Sequence, residues 1–594
     1  MANIMQQVKL KNHTSRDSFD LSFRHAFSAK VGELVPCCCV EMLPGDTFNL
    51  ELQHFTRTQP VNTAAYTRMR EYYDWFFVPT DLLWNKFNTF VSQMTDNNQH
   101  ATGINSRQVL TDMHPYFTTN QIHDHLQRLA NAEHENILGY SSAETSRKLL
   151  EYLGYGKFAG SVVPNQALPF EQLFAKNLNL NPFPLLAYQK IYQDYYRNSQ
   201  WENAYAPAFN LDYINGNSSS LNIPVSDINI FNGTENMFTL RYANWHKDLF
   251  MGLLPNSQFG DSASIILGDG DTSALGYLSL TTSGLAATPL ENVNIGLQPG
   301  SLQLRYLNGI EAGSQVALNL SKSQVDSLKN SLGLTSSSSF SILSLRQAEA
   351  LQKWKEITQS QQQDYKSQVE AHFGVSPDNG YSDRCMWIDG HVSNLDISEV
   401  TNNNITGDNP ADIAGKGVGV GQGKSKFSTK IHGYLMCIYH CVPLLDYAIT
   451  GVSRMNYKTM VTDYAIPEFD RTGMVSVPLV ELTNSADTDN FDSDLLGYAP
   501  RYYDYKQQID RISGLLENSS PSWTAPFTDA YIRQYLGASR SRPLLYTFFK
   551  INPSVLNPIF SLAAGDTYVS DQLLINTGFD IKAVRNLDRN GLPY

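Results

Sequence analysis

The chain has 594 residues and a mass of 66.6 kDa, which is more than one minimal hydrophobic core requires. Charged residues make up only 17% of it, against about 25% in average globular proteins, and the formal charge is −13. These values exclude a small module and a protein whose whole surface neutralises phosphate, so any contact with nucleic acid must be local.

Strand signals dominate at both ends of the chain. Residues 46–55 alternate the apolar Phe48, Leu50 and Leu52 with polar neighbours, which predicts a strand with one buried face. More continuous apolar runs are typical of core strands, and several of these end near a proline. Such strands are predicted, in chain order, at 37–39, 72–78, 427–442 and 544–551.

Three helices are predicted between these strands. A capping box opening at Ser141 precedes a leucine-rich run that Gly154 ends. Residues 187–197 form a tyrosine-rich helical pattern. A second capping box opens a helix at Ser344, and Gly374 provides its stop. Helices this scattered do not form a regular βαβ repeat, so the pattern favours an antiparallel β core with helix-bearing insertions.

One stretch differs in composition from the rest. Between Asp261 and Ser339 the only aromatic residues are Tyr277 and Tyr306, and Ser, Gly, Thr and Asn fill the segment. Such composition is typical of a long surface loop or linker. The alternative is an exposed recognition lobe, in which residues 265–267 and 302–306 pair as short strands. Both interpretations predict that the segment adds little to the main core.

A glycine-rich stretch at 415–425 resembles a phosphate-binding loop at first sight. Counting back from Gly423-Lys424-Ser425, however, the first required glycine falls on Val418, and no helix pattern follows. We therefore predict a flexible loop that enters the next strand. Its lysines are either solvated or touch phosphate without sequence preference. No acidic residue interrupts 413–445, which makes this segment a basic exception in an acidic chain.

Several residue groups contain metal-ligand types, but none has convergent spacing. They are His123 with His125, the set His432, Cys437, His440 and Cys441, and the acids Asp487, Asp489, Asp492 and Asp494. On a strand the two cysteines of the second set share one face and its two histidines the other, so four ligands do not meet. The acids lack the glycine and terminal Glu of a calcium loop. We expect no metal and no cofactor.

Cysteine use and hydropathy indicate the cellular setting. Six cysteines are too few for a disulfide scaffold, so a reduced cytosol is expected. No secretory signal is visible at the start. The longest apolar run, 435–445, has about half of the ~20 residues that a membrane span needs.

Short ordered blocks along most of the chain resemble the major capsid proteins of Microviridae, of the gokushovirus-like type. The blocks are Phe19–Ser22, Val40–Phe48, Phe76–Trp84, Leu240–Phe250, Leu254–Pro255, Leu345–Ala348, His372–Val375 and Tyr498–Tyr502. The ending, Asn552–Pro558 and Phe579–Tyr594, resembles the branch associated with Bacteroidetes hosts. Each block is short, but their ordered combination is specific.

The resemblance implies a mainly β protein, an eight-stranded viral jelly roll (β-sandwich) with long helix- and loop-containing insertions, in a single domain over 1–594. It implies a non-enzymatic major capsid protein, sixty copies of which close a T=1 shell around circular single-stranded DNA. The implied partners are other copies of the chain, the DNA, a small basic DNA-binding protein, a scaffolding protein, a DNA pilot protein and an unknown host receptor. Assembly is expected in the bacterial cytoplasm, and the protein ends in the virion.

Within that family, the segment after the Leu-Pro block is a variable insertion that projects near the three-fold axes. Residues 261–340 occupy this position, so they are a candidate host-recognition lobe. The candidate DNA-facing residues are basic and lie in the first 30 residues, which carry a net charge of +3, or in the glycine-rich stretch. They are Lys9, Lys11, Arg16, Lys416, Lys424, Lys426 and Lys430.

Subunit contacts need apolar and aromatic surface, and tyrosine is enriched at interface hot spots. The tyrosine clusters at 192–196 and 502–505 therefore either contact neighbouring subunits or cover the subunit's own core. Two other functions remain as alternatives. An acidic, aromatic β protein is also typical of carbohydrate-active enzymes that use two carboxylates. A minor virion spike or receptor-binding protein would share the composition but not the full set of blocks.

Overall fold

The fold is taken from a computed structural model of the full chain. It describes residues 16–62, 65–92, 113–158, 177–214, 223, 236–257, 293–294, 303–304, 342–361, 364–378, 382–401, 413–448, 450–483, 495–518, 521–535, 546–560 and 571–589. The chain divides into two compact units, one of residues 1–257 and 361–594 and one of residues 258–360.

The described strands of the first unit are mostly long. They are β1 Asp17–Asp20, β2 Phe23–Ala29, β3 Val35–Met42, β4 Thr47–Thr58, β5 Met69–Pro79, β6 Phe117–Thr118 and β7 Asn179–Leu180. In the second unit are β8 Val293–Asn294 and β9 Gln303–Leu304. The first unit continues with β10 Met386–Thr401, β11 Ile413–Ser428, β12 Gly433–Pro443, β13 Asp446–Ala448, β14 Met474–Pro478, β15 Leu495–Pro500, β16 Pro526–Thr528 and β17 Leu573–Arg585.

The described helices have 4 to 19 residues, and the longest, α5, belongs to the second unit. They are α1 Phe87–Ser92, α2 Thr119–Asn131, α3 Ser142–Tyr152, α4 Phe183–Ile191, α5 Ile342–Ser360, α6 Tyr365–Phe373, α7 Tyr503–Lys506, α8 Leu515–Asn518 and α9 Asp529–Arg533. None of these helices is long and apolar enough to cross a membrane.

The long strands form one continuous antiparallel sheet in the order β1-β17-β4-β11-β10-β5-β12-β3, with β2 also paired to β17. This sheet folds over at the β10–β11 pair, so that its halves β2-β17-β4-β11 and β3-β12-β5-β10 pack against each other as the two four-stranded sheets of a sandwich. Each sheet takes two strands from the first part of the chain and two from the second, as a jelly roll does. The expected eight-stranded jelly roll is therefore confirmed. β1 pairs with β17 beyond β2 and adds a ninth strand.

The hairpin of β10 and β11 joins the two sheets at a corner. Its tip, 395–401 with 413–419, is paired only within itself over most of its length. Beyond Leu395 the strands separate, so that β10 pairs with β5 and the rest of β11 pairs with β4. One long hairpin thus supplies an edge of both sheets and closes one side of the sandwich.

The interior of the sandwich changes character along β4. Its inward side chains are the apolar Phe48, Leu50 and Leu52 at one end. They are followed on the same face by His54 and by two buried threonines. The sandwich therefore has an apolar half and a polar half, and the alternation predicted at 46–55 is confirmed over the longer range Thr47–Thr58.

Glu71 lies at the centre of the polar half. Its carboxylate accepts a 2.8 Å hydrogen bond from the Tyr439 hydroxyl, and its second oxygen is 3.9 Å from His54 Nδ1. Burial raises the pKa of Glu71 and lowers the pKa of His54 to about 4. His54 Nε2 also lies 3.1 Å from the Ser393 hydroxyl, which ties β4 of one sheet to β10 of the other.

A second buried charge cluster holds the insertions to the sandwich. Lys148 on α3 donates to Glu33 at 2.6 Å and to Asp571 at 3.0 Å, and Lys30 also pairs with Asp571 at 3.0 Å. All four side chains are at most 1% exposed. Burial lowers the pKa of Lys148, but the two carboxylates outweigh this and raise it above its ordinary value.

Two predictions about strands were wrong or incomplete. The predicted strand at 427–442 is broken, because Thr429 forms a turn with Ile431 between β11 and β12. The predicted strand at 544–551 contains a 3-10 turn at Tyr546–Phe549. A short apolar run does not distinguish a buried turn from a strand, since both bury every residue. The strands predicted at 37–39 and 72–78 are present, within β3 and β5.

The predicted helices are present with different ends. α3 begins at Ser142, but the Ser141 side chain makes no capping hydrogen bond. The tyrosine-rich helix begins earlier, at Phe183, and ends in a π-helical turn, Tyr192–Tyr196. The single helix predicted from Ser344 to Gly374 is two helices, α5 and α6, because Asp364 caps a new start. Gly374 ends α6 with a φ of +68°, as predicted.

The second unit contains the aromatic-poor segment, of which only short pieces are described. β8 pairs with β9, so the predicted strand at 302–306 is present in part. Its partner is Val293–Asn294, whereas the predicted partner, 265–267, lies outside the described residues.

Candidate nucleic-acid interface

The glycine-rich stretch is part of strand β11, which corrects the predicted loop. Every second residue from Gly415 to Gly423 is glycine, so all five glycines share one face of the strand. That face points into the polar half of the sandwich. A Cβ at Gly419 would overlap the Glu71 carboxylate, and one at Gly421 would overlap His54 and lie 2.9 Å from His391 Nε2. The glycines therefore make room for buried polar side chains and do not cradle phosphate.

The opposite face of β11 carries the lysines. Lys416, Lys424 and Lys426 alternate with the glycines and so point away from the sandwich, where the latter two are exposed. Their neighbours across the sheet follow from the register, in which Lys424 faces Glu51 and Lys426 faces Asn49. We call this outward surface of the sheet β2-β17-β4-β11, together with the adjoining β1, the outer face.

Basic side chains outnumber acidic ones on the outer face. The basic residues are Arg24, Arg57, Lys416, Lys424, Lys426 and Lys582, and the acidic residues are Asp20, Glu51 and Asp580. In a chain with a formal charge of −13, an excess of three positive charges on one sheet surface is a local exception. This surface has the charge that a phosphate backbone attracts.

Ion pairs hold some of these charges in place. Lys424 Nζ lies 2.8 Å from Glu51, and Lys582 Nζ lies 2.6 Å from Asp20 and 3.2 Å from Asp580. Hydrogen bonds from Lys582 and Ser22 hold the pKa of Asp20 well below its usual value. Hydrogen bonds to the carboxylates of Asp20 and Asp580 in turn raise the pKa of Lys582. All three carboxylates and both lysines are solvent-exposed, so phosphate can compete for the lysines at little cost.

Aromatic rings lie among the charges. Phe23 is 40% exposed and stacks on the buried Phe579 with 5.0 Å between ring centroids. The Arg57 guanidinium lies 5.0 Å from the centre of the half-exposed Phe55 ring. A shallow open pocket beside these rings is lined by Ser22, Phe23, Glu51, Gln53, Gly578, Phe579 and Asp580. Rings and cations in one groove are the combination that binds single strands without sequence preference.

The structure brings some of the predicted residues together and leaves others apart. Arg16 lies beside the outer face, where it donates to the Gly45 carbonyl at 2.8 Å and to the Thr47 hydroxyl at 3.1 Å. Lys430 is exposed in the turn after β11. Lys9 and Lys11 lie outside the described residues. Lys30, which was counted in the basic amino-terminal charge, is buried against Asp571 and is not available to DNA.

The sequence prediction did not include Arg57, Lys582 and Phe55 of the outer face. Arg57 and Phe55 continue the outward positions of the strand predicted at 46–55, so the alternation contained a signal for them. No local sequence pattern indicated Lys582, because this residue joins the outer face only through the pairing of β17 with β4.

The metal-ligand types do not converge on a site. Every residue of β12 is buried, and His440 stacks on Tyr72 with ring centroids 4.9 Å apart. Burial lowers the pKa of His440 to about 3. Among the residues that the structure describes, no group of three or more His, Cys, Asp or Glu side chains could hold a metal ion. The acids at 487–494 lie outside that part of the chain.

The sequence matches the phage family described as capsid protein (F protein) over residues 7–138 and 166–588. The chain belongs to this family. Capsid protein VP1 of Chlamydia phage 1 is 24% identical over 559 residues, which cover 85% of each chain. Capsid protein VP1 of Bdellovibrio phage phiMH2K is 23% identical over 517 residues, which cover 84% of this chain and 82% of that one.

The family match confirms the resemblance to Microviridae major capsid proteins. The chain is a major capsid protein of a bacteriophage and a structural protein of the virion. The alternatives of a carbohydrate-active enzyme and of a minor spike are not supported by this match, because it extends over most of the chain. The branch associated with Bacteroidetes hosts stays a prediction.

Proposed function

We propose that sixty copies of this capsid protein close a T=1 icosahedral shell around circular single-stranded DNA, with the outer face of the sheet β2-β17-β4-β11 turned toward the DNA. The observation that carries this proposal is the complete jelly roll, in which one of the two sheets presents an excess of basic and aromatic side chains. The role is structural, without enzymatic activity.

The charge on the outer face suits a weak and sequence-independent contact. Each phosphate neutralised on a single strand contributes a salt-dependent term of about −0.7 to the slope of log K against log salt. An excess of three charges per subunit leaves most of the genome's charge uncompensated. A small basic DNA-binding protein would supply the remainder. Scaffolding and pilot proteins are further proposed partners, and assembly would take place in the host cytoplasm.

The segment 261–340 is the proposed host-recognition lobe. It falls within the compact unit 258–360, separate from the unit that contains the jelly roll. A segment outside the main core can vary without loss of the shell, which is what recognition of different hosts requires.

The test is the size and copy number of particles formed by the full chain, alone and with its proposed scaffolding partner. Electron microscopy and sedimentation should show closed particles of sixty subunits. A strictly monomeric chain under every co-expression condition, or a particle with another copy number, would contradict the proposal.

A further inference from the structure

The segment 454–474 follows β13 and ends at the first residue of β14, and none of its apolar side chains is buried. It has 21 residues with three 3-10 turns, at Arg454–Asn456, Val461–Asp463 and Pro467–Phe469. Connections this long without strands or α-helices are uncommon in compact domains and are usually functional. We call it the 454–474 segment.

Large apolar side chains of this segment are exposed to solvent. They are Met455 (70% exposed), Met460 (67%), Val461 (78%), Tyr464 (55%), Phe469 (44%) and Met474 (38%). Single exposed apolar residues are common, but six of them within 20 residues are not. Exposed methionine and aromatic side chains of this kind are enriched at protein interfaces.

The polar groups of the segment are bound to the subunit itself. Lys458 pairs with Asp504 of α7 and lies 3.9 Å above the Tyr505 ring. At the other end, Asp470 pairs with Lys506 of the same helix. Both flanks of the segment are therefore fixed on α7.

The remaining polar contacts of the segment also stay within the subunit. Arg501, just before α7, donates to the Thr472 hydroxyl. Asp463 accepts hydrogen bonds from the backbone N–H groups of Thr459 and Met460, at 3.1 and 2.9 Å. These contacts occupy Lys458, Asp463, Asp470 and Thr472, and the exposed Glu468 and Arg471 lie on the surface beside the apolar side chains.

The charge of the segment excludes nucleic acid as its partner. Three basic residues, Arg454, Lys458 and Arg471, are balanced by three acidic ones, Asp463, Glu468 and Asp470. A surface without net positive charge has no electrostatic attraction for phosphate. The exposed apolar side chains of the 454–474 segment are instead complementary to an apolar surface on another protein.

The exposed area matches what one partner contributes to a protein interface. Six large side chains that are 38–78% exposed present on the order of 600 Å² together, compared with about 800 Å² per partner in a standard interface. Tyr505, which is 56% exposed beside the anchored Lys458, extends this surface. Its neighbour Tyr503 is 3% exposed and covers the subunit's own core. Tyr502 is 8% exposed, so two of the three tyrosines at 502–505 cover the subunit's own core and only Tyr505 is available to a partner.

We propose that the 454–474 segment is a contact between subunits and that its occupant is a second copy of this chain. The inference rests on the proposed closed shell, in which every subunit repeats the same contacts with its neighbours. The segment is fixed to α7 before assembly, so little conformational entropy is lost when the neighbour binds.

Methionine oxidation tests the contact directly on the full-length protein. Hydrogen peroxide converts exposed Met455 and Met460 to sulfoxides, whereas the fully buried Met436 serves as a protected reference. We expect both exposed methionines to oxidise at least tenfold more slowly in closed particles assembled from this chain alone than in unassembled subunits. Equal rates in the two samples would overturn the inference. Protection only in particles that also contain a scaffolding protein would overturn it too and would assign the surface to that protein.

A pair of substitutions at one position provides the second test. Val461→Asp places a charge in the contact, and we expect the concentration needed for assembly to rise at least tenfold. Val461→Ile keeps the apolar character and should assemble as the unaltered chain does. The position is 78% exposed, so both variants should unfold at the same urea concentration as the unaltered subunit. Normal assembly of Val461→Asp would contradict the inference, whereas absence of any particles from the unaltered chain under every co-expression condition would contradict the proposed shell itself.

Discussion

His54 and Glu71 face each other inside the sandwich, with 3.9 Å between His54 Nδ1 and Glu71 Oε2. His54 is on β4 and Glu71 is on β5, in the two opposite halves of the sandwich. Both side chains occupy space that the glycines of β11 leave open. A polar pair of this size fits in the interior only because β11, the strand beside β4, has glycines and therefore no side chains at Gly419 and Gly421. The repeated glycines of β11 are thus a packing device.

The first prediction concerns that packing. Gly421→Ala places a methyl group against His54 and His391, and we expect a loss of about 1–3 kcal/mol in the free energy of unfolding, as overpacking of a core causes. Gly578→Ala on β17 is the control, since its Cβ would meet only the Gln53 carbonyl oxygen at 3.9 Å. Urea unfolding of the isolated subunits measures both. An equal effect of the two substitutions would show that the space around Gly421 is not needed.

Removal of the amine at Lys148 tests the buried charge cluster. Lys148→Met leaves the fully buried Glu33 without its ammonium partner, and we expect a loss of about 3–5 kcal/mol. Lys582→Met breaks a surface ion pair of the same 2.6 Å length, with Asp20, and should cost far less, because water and salt screen an exposed pair. Thermal or urea unfolding distinguishes them. Similar losses would mean that burial does not set the strength of the Lys148 pair.

Acid should destabilise the subunit through His125. This residue of α2 is fully buried, and burial, with Arg128 and His134, lowers its pKa from 6.5 to about 4. The unfolded chain takes up the proton near pH 6.5 but the folded chain only near pH 4, so stability is lost as the pH falls through this range. Between pH 7 and pH 5, the titration of His125 should lower the free energy of unfolding by about 2 kcal/mol.

The measurement for His125 is the change in unfolding free energy between pH 7 and pH 5. In His125→Gln this change should be smaller than in the unaltered protein by that amount, whatever the substitution costs at neutral pH. An unchanged slope in His125→Gln would assign the acid sensitivity to other groups.

Salt dependence tests the outer face. Lys424→Gln combined with Lys426→Gln removes two exposed charges, and we expect the slope of log K against log salt for circular single-stranded DNA to decrease by about 1.4. Lys157→Gln removes an exposed lysine outside this surface and should leave the slope unchanged. Binding of unassembled subunits over a range of salt concentrations provides the measurement. A slope that responds to Lys157 but not to the β11 pair would place the DNA elsewhere.

Replacement of residues 262–339 by a short Gly/Ser linker separates assembly from infection. These residues lie within a compact unit of their own, so the jelly roll should still fold and close shells. The trimmed particles should package DNA but fail to adsorb to host cells. Normal adsorption would contradict the receptor role, and failure to assemble would show that the lobe contributes contacts between subunits.

The comparison of β4 with β11 shows what the sequence could and could not predict. Phe48, Leu50 and Leu52 alternate with polar residues, so a local pattern was enough to identify a half-buried strand. β11 has no apolar alternation, because its inward positions are glycine, and it was predicted as a loop. Only the strands opposite it, which bring Glu71, His54 and His391 to those glycines, explain why it is a strand.

The candidate site divides in the same way. The sequence by itself determined that Lys416, Lys424 and Lys426 share a basic stretch, and the ordered family blocks determined the jelly roll and the capsid role. Which basic residues lie on one surface was decided by the register of β17 against β4, which adds Lys582, and by burial, which removes Lys30. The reason is physical: residue type and spacing act within one strand or helix, whereas pairing and burial depend on residues hundreds of positions apart in the chain.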